Sequence, residues 1–189
     1  MTDYQTNSCV LLKGFLDPQS ASTISRYMEY SLKQKDYKFN DSISTYARYG
    51  DPLMETVLYN SKETLEEVTG FSLHPTYSFS RIYIKGDKLK PHVDRPSCEV
   101  SVTVNIATQG EPWPIWMEVP GEKPMSFILE SGDAVVYKGC EVKHWREKAV
   151  DTELNAQIML HYVNQNGPYA SFKWDKRPGL GLLETSRSL

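Results

Sequence analysis

The chain has only four histidines, His74, His92, His144 and His161, and one of them stands two residues before an aspartate. In Lys90-Pro91-His92-Val93-Asp94-Arg95 the imidazole and the carboxylate fall at positions i and i+2. On an extended strand those positions share a face, so His92 and Asp94 converge while Val93 turns away. A second histidine from a later strand would complete a 2-His-1-carboxylate triad. That triad covers one face of an octahedral metal and leaves the other positions open. It suits non-haem iron(II) that must bind a co-substrate and dioxygen together. His144, in Gly139-Cys140-Glu141-Val142-Lys143-His144-Trp145-Arg146, is the expected third ligand. His161 is its rival, but Met159-Leu160-His161-Tyr162-Val163 reads as strand core. His74, just before Pro75, reads as structural or surface.

His-x-Asp alone arises by chance in many chains, so the elements around it matter. Val10 to Phe15 reads as a strand. Asp17-Pro18 and Asp51-Pro52 both look like helix starts, each with an aspartate cap and a proline at the first helical position. Ile24, Tyr27, Met28 and Leu32 give the first helix an apolar stripe. Met54, Val57, Leu58, Leu65 and Val68 mark one or two further helical segments that Gly70 ends. Lys33 to Ser44 reads as loop. After Gly70, short runs rich in Val, Ile, Thr and Tyr alternate with Gly and Pro turns. The predicted strands are Tyr77–Ile84, Glu99–Ile106, Ile115–Val119, Met125–Leu129, Ala134–Tyr137 and Ala156–Val163. The expected fold class is therefore α+β, mainly β, with N-terminal helices packed on one sheet of a sandwich or barrel. One domain is expected over 1–189: strand and helices over 1–72, β core over 73–165, and a tail over 166–189 that wraps the domain or covers a cleft.

Bulk properties narrow the classes. The chain has 189 residues, 40% hydrophobic and 24% charged, as in ordinary globular domains. A net charge of −3 gives no general attraction to nucleic acid or an anionic membrane. No apolar run is long enough to span a bilayer, and MTDYQTNS has no secretory pattern. Cys9, Cys98 and Cys140 are odd in number and widely spaced, matching neither a disulfide framework nor a zinc ribbon, so a cytoplasmic location is expected. The expected partners are substrates rather than nucleic acid or membrane. The oligomeric state is left open.

Tyr83-x-x-Gly86-x-x-Leu89-x-x-His92-x-Asp94, followed by Gly132-Asp133 and His144, resembles the core of the Fe(II)/2-oxoglutarate-dependent dioxygenases. The similarity is to the prolyl 4-hydroxylase-like branch with its small bacterial and phage proteins. The run into Phe15-Leu16-Asp17-Pro18 resembles that branch too. The resemblance implies a double-stranded β-helix of jelly-roll or cupin type. It implies iron held by His92, Asp94 and His144, with 2-oxoglutarate and O2 as co-substrates and ascorbate as a reductant. It implies hydroxylation of a C–H bond, of a peptidyl residue such as proline or of a small molecule, with release of succinate and carbon dioxide.

The resemblance also implies a cation about ten residues after the second histidine, where this chain has Glu153-Leu154-Asn155-Ala156. Arg146, at i+2 from His144, is the first replacement expected to hold the distal carboxylate, since its planar fork suits bidentate binding. Its bland alternative is an ion pair with Glu147 or Asp151. Arg81 is the second choice. Tyr83 and Gln157 are expected to add donors. Arg95, Glu99 and Trp116 are candidates for the substrate cleft, whereas Trp113 reads as a packed aromatic and Trp145 as outward-facing. Two rival functions stay open: a cupin-like metalloenzyme of another reaction class that does not use 2-oxoglutarate, and a non-catalytic module.

Overall fold

The computed structural model describes residues 4–40 and 45–182. A short helix α1 (Tyr4–Asn7) leads into strand β1 (Cys9–Leu12) and helix α2 (Pro18–Lys33). Strands β2 (Lys38–Asn40) and β3 (Thr45–Tyr49) precede helices α3 (Pro52–Asn60) and α4 (Lys62–Thr69). The β region follows: β4 (Leu73–Ile84), β5 (Leu89–His92), β6 (Val100–Gly110), β7 (Ile115–Glu118), β8 (Met125–Phe127), β9 (Ala134–Lys138), β10 (Lys143–Arg146) and β11 (Thr152–Asn164).

Local chemistry sets the helix ends as the sequence suggests. The Asp17 carboxylate accepts from the amides of Gln19 and Ser20, and Asp51 accepts from those of Leu53 and Met54. Each proline sits where its missing amide hydrogen costs nothing. Gly70 ends α4 at φ +72°, in the left-handed region open to glycine. The segment 52–69 is two helices, broken at Ser61.

Two sheets form, one of seven strands in the order β1-β9-β6-β11-β4-β3-β2 and one of four in the order β5-β10-β7-β8. All their pairings are antiparallel. The larger sheet is two-faced because its strands alternate. Val100, Val102, Val104 and Ile106 of β6, with Ile158, Leu160 and Tyr162 of β11, meet Ile24, Met28, Met54 and Leu58 of the helices. The opposite face carries Ser101, Thr103 and Asn105 and turns toward the smaller sheet. Helices on one side and a second sheet on the other give a double-stranded β-helix with helices on one sheet.

Differences from the sequence reading are local. The predicted loop Lys33–Ser44 contains β2, and β3 follows it. The edge of β4 recruits β3 through residues 79–82, and β3 in turn pairs with β2. Residues 41–44 lie outside the described part. The predicted strand Val10–Phe15 is shorter, because Gly14 turns at φ +61°. Asp133 stitches this turn to the β8–β9 loop by accepting from the amides of Gly14 and Glu130 and from Lys13.

The tail crosses the larger sheet as far as residue 182. Arg177 pairs with Glu55 at 2.5 Å, with both side chains nearly inaccessible, and the Gly181 amide donates to the same carboxylate. Removing one member of a buried pair strands the other, so Arg177→Ala is expected to cost about 3–5 kcal/mol in urea unfolding. A cost below about 1 kcal/mol, the usual worth of an exposed pair, would show that the tail does not clamp the fold. No described helix is long and apolar enough to cross a membrane.

Candidate metal centre and active-site cavity

His92, Asp94 and His144 come together between the sheets. Their ligand atoms all lie within 4.8 Å of one another. His92 ends β5 and faces His144 of β10 directly across the strands, with ring centroids 4.2 Å apart. Asp94 Oδ1 lies 3.7 Å from His92 Nε2 and 3.6 Å from His144 Nε2. Three ligands bound at about 2.1 Å and at right angles would stand about 3 Å apart, so modest tightening brings the set onto one ion.

Backbone carbonyls choose the tautomers. His92 Nδ1 is 2.9 Å from the Lys90 carbonyl oxygen, and His144 Nδ1 is 3.0 Å from that of Val142. A carbonyl only accepts, so both Nδ1 atoms carry the proton. Each Nε2 lone pair is left facing the shared point, as metal-binding imidazoles require. Burial also pushes the His144 pKa below its ordinary value, which favours the neutral ligand.

The sequence argument placed Asp94 on the strand with His92, but β5 stops at His92. Asp94 arrives by a turn instead: its amide donates to the Gly139 carbonyl oxygen at 2.8 Å. Val93 is turned outward as expected.

A second cluster shares the aspartate, namely Asp94, Cys98 and His161. Its other two members are otherwise engaged. The Cys98 thiol lies 3.1 Å from the Tyr77 hydroxyl and burial pushes its pKa up to about 12, so it is not an available thiolate. His161 Nδ1 sits 3.0 Å from Ser101 Oγ, and burial pushes its pKa down to about 4.

The triad opens onto a cavity of about 280 Å³. Its wall on β4 is one face of the strand: Tyr77, Phe79, Arg81 and Tyr83 at alternate positions. Arg81 Nη1 donates to Tyr83 Oη at 2.9 Å, and its buried Nε has no partner. Gln157 lies opposite Arg81 on β11, and its buried Nε2 is also without a partner.

Arg146 shares the inner face of the smaller sheet, as its spacing suggests, yet Trp113 stands against it. Its guanidinium lies over the Trp113 ring at 4.9 Å and donates to the Trp113 carbonyl oxygen, and its Nε has no partner. Burial lowers its pKa to about 10. Neither Arg146 nor Arg81 forms an ion pair with a carboxylate among the described residues, so the pairing of Arg146 with Glu147 or Asp151 does not occur. Arg81, a guanidinium in the cavity wall with no counter-charge and an unpartnered Nε, fits an anionic group that would enter this cavity, whereas Arg146 and Gln157 lie outside the lining.

The three cleft candidates separate. Arg95 lines the cavity, stacks over Tyr77 at 4.6 Å, and forms a two-pronged pair with Asp175 of the tail at 2.7 and 2.8 Å. Asp175, itself at φ +57°, also accepts from Tyr49 Oη at 2.6 Å. Glu99 lies outside the lining and accepts from the Asn164 amide. Trp116 stacks on Trp145 across the outer face of the smaller sheet, 6.1 Å between centroids, away from the cavity. Trp113 is buried against Tyr83, as a packed aromatic.

Fold and metal geometry together define a double-stranded β-helix with a 2-His-1-carboxylate constellation inside it. No family model and no curated protein sequence matches the chain. Solved structures do. A prolyl-4-hydroxylase from Pseudomonas putida is similar at a TM-score of 0.70 and 14% identity, over 84% of this chain and 95% of that one. A prolyl hydroxylase from Trichoplax adhaerens, in complex with a hypoxia inducible factor peptide fragment, matches at 0.71 and 12%, over 86% of each. The epimerase SnoN in complex with Fe3+, α-ketoglutarate and nogalamycin RO matches at 0.73 and 12%, over 95% and 89%. The chain has the fold of these proteins.

Proposed function

We propose that this protein is an Fe(II)- and 2-oxoglutarate-dependent dioxygenase that hydroxylates a C–H bond. The observation that carries the reading is the pairing of two Nδ1-protonated histidines and Asp94 with an uncompensated Arg81 in one cavity. His92, Asp94 and His144 would hold the iron. Arg81 would take the distal carboxylate of 2-oxoglutarate, with the Tyr83 hydroxyl beside it and Gln157 behind. Arg146 would contribute a more distant positive field from behind Trp113. Iron, when bound, would activate dioxygen, with 2-oxoglutarate as the electron donor: one oxygen atom goes to succinate as the keto acid loses carbon dioxide, and the other goes to the substrate C–H bond.

The chain's own residues position and shield. Two imidazoles and one carboxylate leave the site at net +1 with iron(II), which favours a dianionic co-substrate. Apolar Ile115 and Met159 and the rings of Phe79 and Tyr137 line the cavity and restrict water around the oxidant. The position where the resemblance calls for a cation belongs to Asn155, whose amide is spent on Asn105 and Thr108. Arg81 on the neighbouring strand supplies the charge instead, which answers the main support for an enzyme that does not use 2-oxoglutarate.

The substrate we infer is a residue projecting from a larger body, a peptidyl proline first. The similarity of the fold to prolyl hydroxylases, one of them in complex with a peptide fragment, supports this choice. A cavity of about 280 Å³ takes the keto acid and one projecting group. The test is succinate release from the iron-loaded protein with a panel of proline-containing peptides and free amino acids. Peptide-dependent release with one oxygen added to the peptide supports the reading. Release driven only by free small molecules contradicts the peptidyl part, and no release of succinate under any condition contradicts the co-substrate.

A further inference from the structure

Under the candidate metal point, one row of cross-strand partners runs across the larger sheet. Tyr77 of β4 faces His161 of β11, His161 faces Ser101 of β6, and Ser101 faces Tyr137 of β9. Two members of this row reach the metal triad. Tyr137 packs on His144 with ring centroids 4.8 Å apart, and Ser101 Oγ lies 2.7 Å from Asp94 Oδ2. Asp94 therefore shows its two oxygens to different surroundings: Oδ1 faces the two imidazole nitrogens and Oδ2 faces the serine.

We propose that Ser101 and His161 are positioning residues for Asp94, forming a hydrogen-bond chain that leaves Oδ1 alone to bind the metal. The inference rests on the metal-binding reading above. The direction of the chain follows from counting protons. The carboxylate can only accept, so Ser101 gives its single proton to Oδ2. The Cys98 carbonyl oxygen, 3.1 Å from the same hydroxyl, is the longer contact and also only accepts. Ser101 thus meets His161 Nδ1, at 3.0 Å, with a lone pair, and His161 must donate. Each bond polarises the next toward the carboxylate.

Gly139 keeps this oxygen reachable. A Cβ there would lie 2.8 Å from Asp94 Oδ2 and 2.6 Å from Ser101 Oγ, and would strike the Cys98 carbonyl. Only glycine lets the loop pass while its carbonyl holds the Asp94 amide. The function of the chain is to keep coordination positions open. A carboxylate with Oδ2 free can rotate or chelate through both oxygens, taking a position that the co-substrate or dioxygen needs.

Cobalt(II) serves as the probe, because its visible ligand-field spectrum reports coordination number without turnover. Ser101→Ala and His161→Phe remove the two donors, whereas Ser101→Thr and His161→Asn keep a hydroxyl and an amide donor in place. Ser101→Ala and His161→Phe are expected to weaken cobalt binding by about tenfold to a hundredfold and to change the spectrum. Ser101→Thr and His161→Asn are expected to stay close to wild type. The inference is overturned if Ser101→Ala and His161→Phe keep the wild-type spectrum and affinity. It is equally overturned if the conservative variants fall as far as the others. Thermal melting checks folding throughout, and the His161 pair carries the test alone should Ser101→Ala not fold. A wild-type protein that takes up no cobalt sinks the metal-binding reading itself, a result separable from the other two.

Discussion

Replacing His144 with alanine is expected to abolish tight iron(II) binding while the sheets stay folded. His144 is 3% exposed, and its ring is held between His92 and Tyr137. The Val142 carbonyl fixes its orientation and tautomer. Loss of a group that merely orients a ligand weakens a metal site by about tenfold to a hundredfold. Loss of the ligand itself should exceed the upper end of that range. The same substitution leaves a buried void and an orphaned Val142 carbonyl, which together cost about 2–4 kcal/mol of stability. His92→Ala separates the two effects, since His92 is part-exposed and leaves little void. Equilibrium dialysis with iron(II) under nitrogen should find both variants empty, while melting shows a large drop only for His144→Ala. Undiminished binding in His92→Ala would mean that the ligand set is wrong.

The second large effect is expected at Arg81. Arg81→Met should leave iron binding intact and weaken 2-oxoglutarate by about tenfold to a hundredfold. That range follows from the roughly 1.5–3 kcal/mol carried by a charge-assisted hydrogen bond. Arg146→Met should move 2-oxoglutarate affinity far less, because its guanidinium packs on Trp113 and does not line the cavity. Burying a charge without a counter-charge is costly, so an apolar side chain of similar length at this position is expected to leave stability unchanged or raised. Calorimetric titration of 2-oxoglutarate into the manganese-loaded variants reads both affinities. If Arg146→Met loses the co-substrate and Arg81→Met keeps it, the anchor is Arg146 and the cavity must open past Trp113.

Much of this was legible in the sequence because it depends on local rules. Asp17-Pro18 and Asp51-Pro52 specify helix starts by geometry and hydrogen bonding alone. Alternation of Ser101, Thr103 and Asn105 with valines fixes which face of β6 turns inward. What escaped depends on partners distant in the chain. Strand β2 is short and exists because β3, itself paired to the edge of β4, lies beside it. The proposed order, Arg81 before Arg146, departs from the sequence reading because spacing gives the face but not the neighbours. Both point inward, yet the register shifts between His144 and Arg146, and the Arg146 guanidinium packs on Trp113. Ser101 gave no sign of its proposed role, since strand register brings it to His161 and the turn after β5 brings Asp94 to it. His161 was legible as a strand-core residue and a rival to His144. The serine oxygen that accepts from its Nδ1 was not.

The most direct test of the central claim is addition of 2-oxoglutarate to the iron(II)-loaded protein without oxygen. Keto acid bound to iron through its keto oxygen and adjacent carboxylate gives a visible metal-to-ligand charge-transfer absorption. Wild type is expected to develop that band to saturation, and Asp94→Ala is expected to develop none. A wild-type protein that binds iron and shows no band at saturating 2-oxoglutarate would contradict the account.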